Sequence, residues 1–386
     1  MLSLLALLAC TNPPDEGACI QETSDGFCPH VLVADEIQDF YLELSDATLA
    51  ALNEDYTTWE SRQPDERKPY HPIETFRWGC QEITNAQIRL KGNPQYSWQG
   101  DKLQFVVAFQ KEDDRGRFQG LRKLAFDAPF YDPTLLSERL AFAAFEDMGV
   151  TASCANHARL HVNGELYGVY TILEVIDKEY LQRRYGDDDD GNLYKFDYGA
   201  AQMQLRTNEE EGDTSDYEAL MQVDTYEGVE AAFDLDQAMP VWAAESIVLQ
   251  ADGYWAGSLN FALYDHPTRG WLVLPWDMDH AFDFWPTNLD PLRRQDFYGL
   301  SPHLDLTLAD IDGHLRFIDT VKERYAAYDV GATLDRLDTW ADALEPELLH
   351  DPNLPFSISE HRSAVIELEE AILERDAYLG QWVQEH

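Results

Sequence analysis

Residues 158–177, ARLHVNGELYGVYTILEVID, constrain the fold more than any other stretch of this chain. Apolar positions recur on both sides of Asn163-Gly164. Asn-Gly is the pair a tight hairpin turn prefers, because both turn positions need positive φ. The stretch therefore reads as strand, turn, strand. Further strand patterns precede it: IQDFYLEL, AQIRLKGN, KLQFVVAF and LRKLAFDAP. A capped helix start follows the first of these, with Asp46 as the expected N-cap. Between them and the hairpin, DPTLLSERLAFAAFEDMG has helical apolar spacing and closes at Gly149.

Past Asp177 the pattern turns helical. DKEYLQRRYG, AMPVWAAESIVLQAD and the tail from Leu315 read as helices, and GNLYKFD as a strand. NFALYDHPTRGWLVLPWDMD is a second hairpin, turning over His266–Gly270. The N-terminal half is thus mostly β with one helix, and the C-terminal half mostly α. Hydrophobic types make up 45% of 386 residues, enough for one large domain of two lobes or for two ordinary domains.

Charge narrows the function classes. Asp plus Glu total 72 against 28 Lys plus Arg, a net of −44. Direct nucleic-acid binding is excluded as an expectation, since no basic surplus exists to neutralise phosphates. The excess reads as a solvated acidic surface, able to steer basic substrates.

The start, MLSLLALLACTNPPDEGAC, holds an apolar run too short to span a bilayer. Leu7-Leu8-Ala9 before Cys10 resembles a lipoprotein signal, although the apolar run is short and no Lys or Arg precedes it. The expected organisation is a signal over residues 1–10 lipidated at Cys10, a linker over 11–31 and a folded domain over 32–386. Lobes are expected at about 32–175 and 176–386. Four cysteines remain, Cys19, Cys28, Cys80 and Cys154. In an exported protein they form up to two disulfides. Of three connectivities, Cys19–Cys28 with Cys80–Cys154 is the expected one. Zinc-type Cys and His spacing is lacking. The Asp187–Asp190 run fails calcium-loop spacing, because Gly186 would hold the first ligand position.

The order of elements carries the chemistry. Strands, one helix, a hairpin and a hinge-like ILEVID are followed by helices. Asp252 then precedes Asn260 by eight residues, and a hairpin ends in Asp277. This is the running order of a protein-kinase fold, where catalysis is mainly positioning and charge neutralisation. One carboxylate handles the acceptor hydroxyl, and an Asn and a second carboxylate hold magnesium. Alone, each Asp would equally read as a turn cap.

The chain resembles the CotH kinase family, of atypical kinase fold. The resemblance rests on IRLKGN (Ile88–Asn93), LHVNGELYGVYTILEVID (Leu160–Asp177), GNLYKFD (Gly191–Asp197), NFALYD (Asn260–Asp265), PWDMDHAF (Pro275–Phe282) and RDAYLGQW (Arg375–Trp382). It implies an α+β, two-lobed kinase-like fold and transfer of the γ-phosphoryl of ATP to Ser or Thr of an exported protein partner. Mg²⁺ or Mn²⁺ would be required. Membrane contact would come through the lipid anchor only.

By the same resemblance, Asp252 is the catalytic aspartate. Asn260 and Asp277 are metal ligands, with Asp279 beside them. Lys91 and Gly92 belong to the phosphate-covering loop. Lys123, or Lys102 in its place, reaches the phosphates and pairs with Glu138, and Glu174 lies at the adenine hinge. Two departures stand out. Pro94 and Gln95 replace the usual serines after KGN, and Asp283 replaces a common glycine after DMDHAF. A non-catalytic surface scaffold or adhesin of this fold, or transfer of another nucleotide-derived group, stays open.

Overall fold

The computed structural model describes residues 27–386, apart from 35, 60–67, 93–101, 129–130, 198–200, 258, 283–285 and 295. The expected signal over 1–10, most of the linker, Cys10, Cys19, Asn93, Pro94, Gln95 and Asp283 lie outside the described residues.

Among them the chain opens with α1 (His30–Val33), β1 (Gln38–Glu43) and α2 (Asp46–Thr58). The strands β2 (His71–Pro72), β3 (Thr75–Trp78), β4 (Gln81–Ile83), β5 (Gln87–Leu90), β6 (Phe105–Ala108) and β7 (Lys123–Asp127) follow. Then come α3 (Ser137–Asp147), β8 (Ala155–Val162) and β9 (Glu165–Glu174). The second half runs α4 (Lys178–Tyr185), β10 (Asn192–Asp197), β11 (Gln202–Leu205), α5 (Ser215–Leu220), α6 (Tyr226–Ala232), α7 (Leu235–Ile247), β12 (Phe261–His266) and β13 (Gly270–Pro275). It ends in α8 (Pro302–Ala309), α9 (Ile311–Ala327), α10 (Val330–Leu348) and α11 (Ile358–Glu385).

The first half builds one sheet in the order β2-β5-β6-β7-β9-β8-β1-β3-β4. The expected hairpin is its centre: β8 and β9 pair antiparallel, with Asn163 and Gly164 at φ 51° and 85°. Alternation along β7 and β9 sends side chains to two cores. Leu124, Phe126, Tyr170 and Ile172 join an aromatic cluster with Phe40, Phe76 and Phe118. Ala125, Val169 and Leu173 face the other way, into a core shared with α3 and the C-terminal helices. A second antiparallel sheet, β11-β10-β12-β13, carries the second expected hairpin.

Three local expectations change. Ser45, not Asp46, caps α2: its hydroxyl accepts the Thr48 N–H, and Asp46 is already helical. The helix start expected after β1 is the full helix α2, so with α1 the first half holds two helices besides α3. The disulfide pairing also differs, because Cys28 is bonded to Cys154 and Cys80 is itself disulfide-bonded. The cause is α1, which lies against β8. The Asn156 side-chain amide donates to the Val31 and Ala34 carbonyls, and that seats Cys28 beside Cys154. Val31 is fully buried, so packing includes residues ahead of Leu32.

Far along the chain, Arg375 is buried within α11. It donates to the carbonyls of Ser246, Ile247, Thr287 and Leu289. Burial pulls its pKa down to about 9. Arg375 thereby fixes the end of α7, from which the loop carrying Asp252 emerges.

The Cys28–Cys154 bridge closes a loop of 126 residues. Cys154→Ser, or reduction, is expected to cost about 2–5 kcal/mol in urea unfolding. An unchanged urea midpoint would show that the bridge does not anchor the N-terminal segment.

Candidate active site

The β12–β13 hairpin ends where Phe261 faces Pro275. Proline has no N–H to continue the ladder, so the chain leaves the sheet there. Two residues on, Asp277 takes φ +56°, a left-handed conformation that Asp tolerates better than most residues. Two amides hold it there. Gln250 Nε2 donates to the Asp277 carbonyl at 2.9 Å and Asn260 Nδ2 at 3.3 Å. The loop from Asp252 to Asn260 closes on itself, because the Asp252 carbonyl accepts the Leu259 and Asn260 N–H groups, each at 2.8 Å. That closure lets Asn260 Nδ2 donate to Asp252 Oδ2 at 2.7 Å. Asp252, Asn260 and Asp277 therefore meet.

From the large sheet, Lys91 follows β5 and Asp127 ends β7. Lys91 Nζ donates to Asp127 and, at 3.0 Å, to Asp277 Oδ1. Glu138, in the first turn of α3, accepts the Met278 N–H at 3.2 Å. The result is a carboxylate basin in two adjoining sets. Asp127, Glu138 and Asp277 form one, and Asp252, Asp279 and His280 the other. Within each set the ligand atoms lie within 4.8 Å of one another.

Burial, followed by the charge of Asp277, pushes the Asp252 and Asp279 carboxyls well above their usual range. Glu138 is raised by burial, then by Asp127 and Asp277. Lys91 works against its own burial, and Asp127, Asp277 and Glu138 hold its pKa well above the usual lysine value. Buried oxygens of Asp252, Asp279 and Glu138 have no hydrogen-bond partner. Crowded hard oxygens left unsatisfied suit a divalent cation such as Mg²⁺ or Mn²⁺.

The family model described as CotH kinase protein matches residues 88–309, more than half of the chain and all of this basin. The chain belongs to the CotH kinase family. Inner spore coat protein H of Bacillus subtilis is 27% identical over 185 residues, covering 42% of this chain and 50% of that protein. Invasin CotH3 of Rhizopus delemar is 28% identical over 182 residues, 39% of this chain and 30% of that protein. Invasin CotH2 of the same organism is 25% identical over 199 residues, 44% and 33% respectively. The matches thus span half or less of those relatives. Among solved structures, the proinflammatory kinase CtkA of Helicobacter pylori aligns over 74% of this chain and 97% of its own, at 10% identity and a TM-score of 0.30. The HipA–HipB operator DNA complex of Shewanella oneidensis aligns over 77% and 68%, at 13% identity and a TM-score of 0.35.

The fold is α+β as expected, with a large sheet in the first half and a mostly helical second half, and most of the expected site residues converge. Asp252, Asn260, Asp277, Asp279, Glu138 and Lys91 all reach the basin. Gly92 beside Lys91 takes φ +72°. Three residues are placed differently from expectation. Lys123 does not pair with Glu138; it begins β7 and lies 3.6 Å from Asp177. The lysine near Glu138 is Lys91, because β5 ends at the basin while β7 enters from the far side.

Lys102 is buried against Asp351 and takes no part in the basin. The Glu174 side chain is fully buried in ion pairs with Arg183 and Arg184, so it is occupied structurally. Trp276 is half-buried, and the Lys195 ammonium sits 3.5 Å from its ring centroid. A surface groove of about 630 Å³ lies elsewhere, lined by Gly149, Asp236, Arg269 and Arg316 among others.

Sequence reading missed Asp127, Gln250 and Glu245. Asp127 had a signal, since it ends an apolar strand as Asp277 nearly does. Gln250 and Glu245 had none, being polar residues in a buried helical run. Glu245 is fully buried below the Asp252 loop and accepts the Trp255 N–H. Burial raises its pKa to about 8. The unfolded value is near 4.5, so the native state binds the extra proton between these limits. Stability from this group is complete below about pH 4.5 and is lost as pH rises through about 8. Glu245→Gln is expected to flatten that loss by on the order of a few kcal/mol in urea melts across pH 5–9. Parallel pH profiles for both proteins would contradict the assignment.

Proposed function

We propose that this chain transfers the γ-phosphoryl group of ATP to Ser or Thr hydroxyls of an exported or envelope protein. The observation that carries this reading is the meeting of Asp252, Asn260 and Asp277 beside Lys91, with carboxylate oxygens left unpartnered. Membership of the CotH kinase family supports it.

In this reading Asp277 and Asn260 hold Mg²⁺ or Mn²⁺, with Asp279 as a further ligand. The cation would neutralise phosphate charge. Asp252 orients the acceptor hydroxyl and takes its proton as the new P–O bond forms. The bond from the γ-phosphorus to the bridging oxygen breaks, and ADP leaves. Asn260 fixes its carboxylate through Oδ2 and leaves Oδ1 open. Lys91 places positive charge where phosphate would sit, and Gly92 lets the backbone approach it. Glu138 steadies the Asp277–Met278 segment through the Met278 N–H.

The folded domain would begin near residue 32, with lobes dividing near 175. Lipidation at Cys10 would hold it on the outer side of a bacterial membrane. The spore-coat and invasin names of the relatives support a protein partner at a cell surface.

ATP with Mg²⁺ or Mn²⁺ is expected to raise the melting temperature of the full chain, a stabilisation of about 2.7 kcal/mol at a hundredfold excess over Kd. Asp277→Asn should abolish the shift. Asp252→Asn should keep it while lowering transfer at least about 100-fold. Mass spectrometry of a mixed protein pool should find phosphate, not nucleotide, on Ser or Thr. No shift at millimolar ATP would favour a scaffold or adhesin, and nucleotide adducts would favour the other transfer.

A further inference from the structure

The segment between β13 and α8 exposes two aromatic residues that are neighbours in sequence. Phe297 keeps 54% and Tyr298 57% of its surface open to solvent. Both hang on the loop that carries Asp252. The Phe297 and Tyr298 N–H groups donate to the Gly257 carbonyl, at 2.9 and 3.3 Å. Gly257 is 257 − 252 = 5 residues beyond Asp252. Five residues reach at most about 18 Å when fully extended. This loop is shorter still, because the Asp252 carbonyl accepts the Leu259 and Asn260 N–H groups and folds it back. The two rings therefore stand within reach of a short extended peptide whose hydroxyl meets Asp252.

The exposure is not that of a loose loop. The Arg294 side chain, 1% exposed, pairs with Asp305 at 2.8 Å. It also donates to the Trp255 carbonyl at 2.8 Å and to the Ser301 carbonyl at 3.1 Å. Trp255 Nε1 in turn donates to the Pro291 carbonyl at 2.8 Å. The Asp296 carboxylate accepts the Leu300 and Ser301 N–H groups, each at 3.2 Å. The backbone is thus pinned on both sides of the rings. Tyr298 leans on Phe196 of β10, ring centroids 6.3 Å apart, and Phe196 packs against the main core. Aromatic side chains presented on fixed backbone offer contact area at little cost in entropy, as interface anchors do. The acids nearby are engaged within the chain. Asp296 holds amides, Asp305 holds Arg294, and Asp290 accepts the Leu292 N–H and Trp382 Nε1, each at 3.0 Å. What this platform offers a ligand is aromatic surface.

We propose that Phe297 and Tyr298, with Phe196 behind them, dock an aliphatic or aromatic side chain of the acceptor protein, within about five residues of the Ser or Thr that is phosphorylated. This rests on the phosphoryl-transfer reading above and adds the feature by which the acceptor is chosen. A net charge of −44 draws basic partners from a distance, but it does not choose one hydroxyl among many. Apolar docking beside the Asp252 loop does, because it fixes which residue of the partner is presented.

The test is a position-scanning library of Ser peptides, phosphorylated by the full chain with ATP and Mn²⁺. Each position around the Ser is fixed in turn as Leu, Phe, Ala or Lys. The wild type is expected to prefer Leu or Phe over Ala at one position, with a KM lower by about tenfold, the effect of one aromatic anchor. Tyr298→Ala and Phe297→Ala should each raise the KM of the Leu peptide toward that of the Ala peptide, with the KM for ATP within about twofold of wild type. Tyr298→Phe should keep the preference. Both alanine variants should keep Tm, because the rings stand half outside the fold. An apolar preference absent from the wild type or intact in both alanine variants would overturn the proposal. So would a preference for Lys that the variants abolish, a Tm lowered by several degrees, or a wild-type dimer in sedimentation that Tyr298→Ala dissociates. A wild type that phosphorylates no member of the library would instead remove the transfer reading itself, and this proposal with it.

Discussion

The structure turns on Lys91. One ammonium joins Asp127, at the end of a strand in the large sheet, to Asp277, beyond the end of a strand in the small one. Asp127 is nearly inaccessible, while Asp277 keeps 27% of its side chain exposed. The pair is therefore asymmetric: Asp127 anchors the lysine, and Asp277 remains open to a ligand. Removing one partner of such a buried link leaves an uncompensated charge, which is costlier than the link itself is stabilising. The two sheets are held in a fixed relation by a contact that a metal–nucleotide would also use.

Around that link, the supporting layer acts on backbone more than on side chains. Gln250 and Asn260 hold the Asp277 carbonyl, Glu138 holds the Met278 N–H, Glu245 holds the Trp255 N–H, and Arg375 holds four carbonyls around the end of α7. Asp277 at positive φ persists because its surroundings fix it. Carboxylates fixed this way cannot relax apart, so burial first and their mutual repulsion second hold their pKa values up. A cation would relieve it.

How much of this was legible in the sequence depended on whether the signal was local. Both hairpins, α3 with its Gly149 stop, and the order Asp252, Asn260, Asp277 could be read, because turn chemistry and periodicity act over a few residues. The assignment of lysines could not. Lys102 meets Asp351, 249 residues later, and Lys91 meets Asp277, 186 residues later. Which strand end faces which sheet decides both, and no local pattern encodes that. The cysteines failed for the same reason: Cys28 is drawn to Cys154 by the packing of α1, not by spacing.

The central claim is that the basin of Asp252, Asp277 and Asp279 is a divalent-cation site. Crystals grown with Mn²⁺ and a non-hydrolysable ATP analogue test it through the anomalous difference map. The account predicts a manganese peak within coordinating distance of Asp277, with Asn260 or Asp279 beside it, and no such peak in Asp277→Asn crystals. Manganese absent from the basin, with the analogue bound elsewhere or not at all, would contradict it.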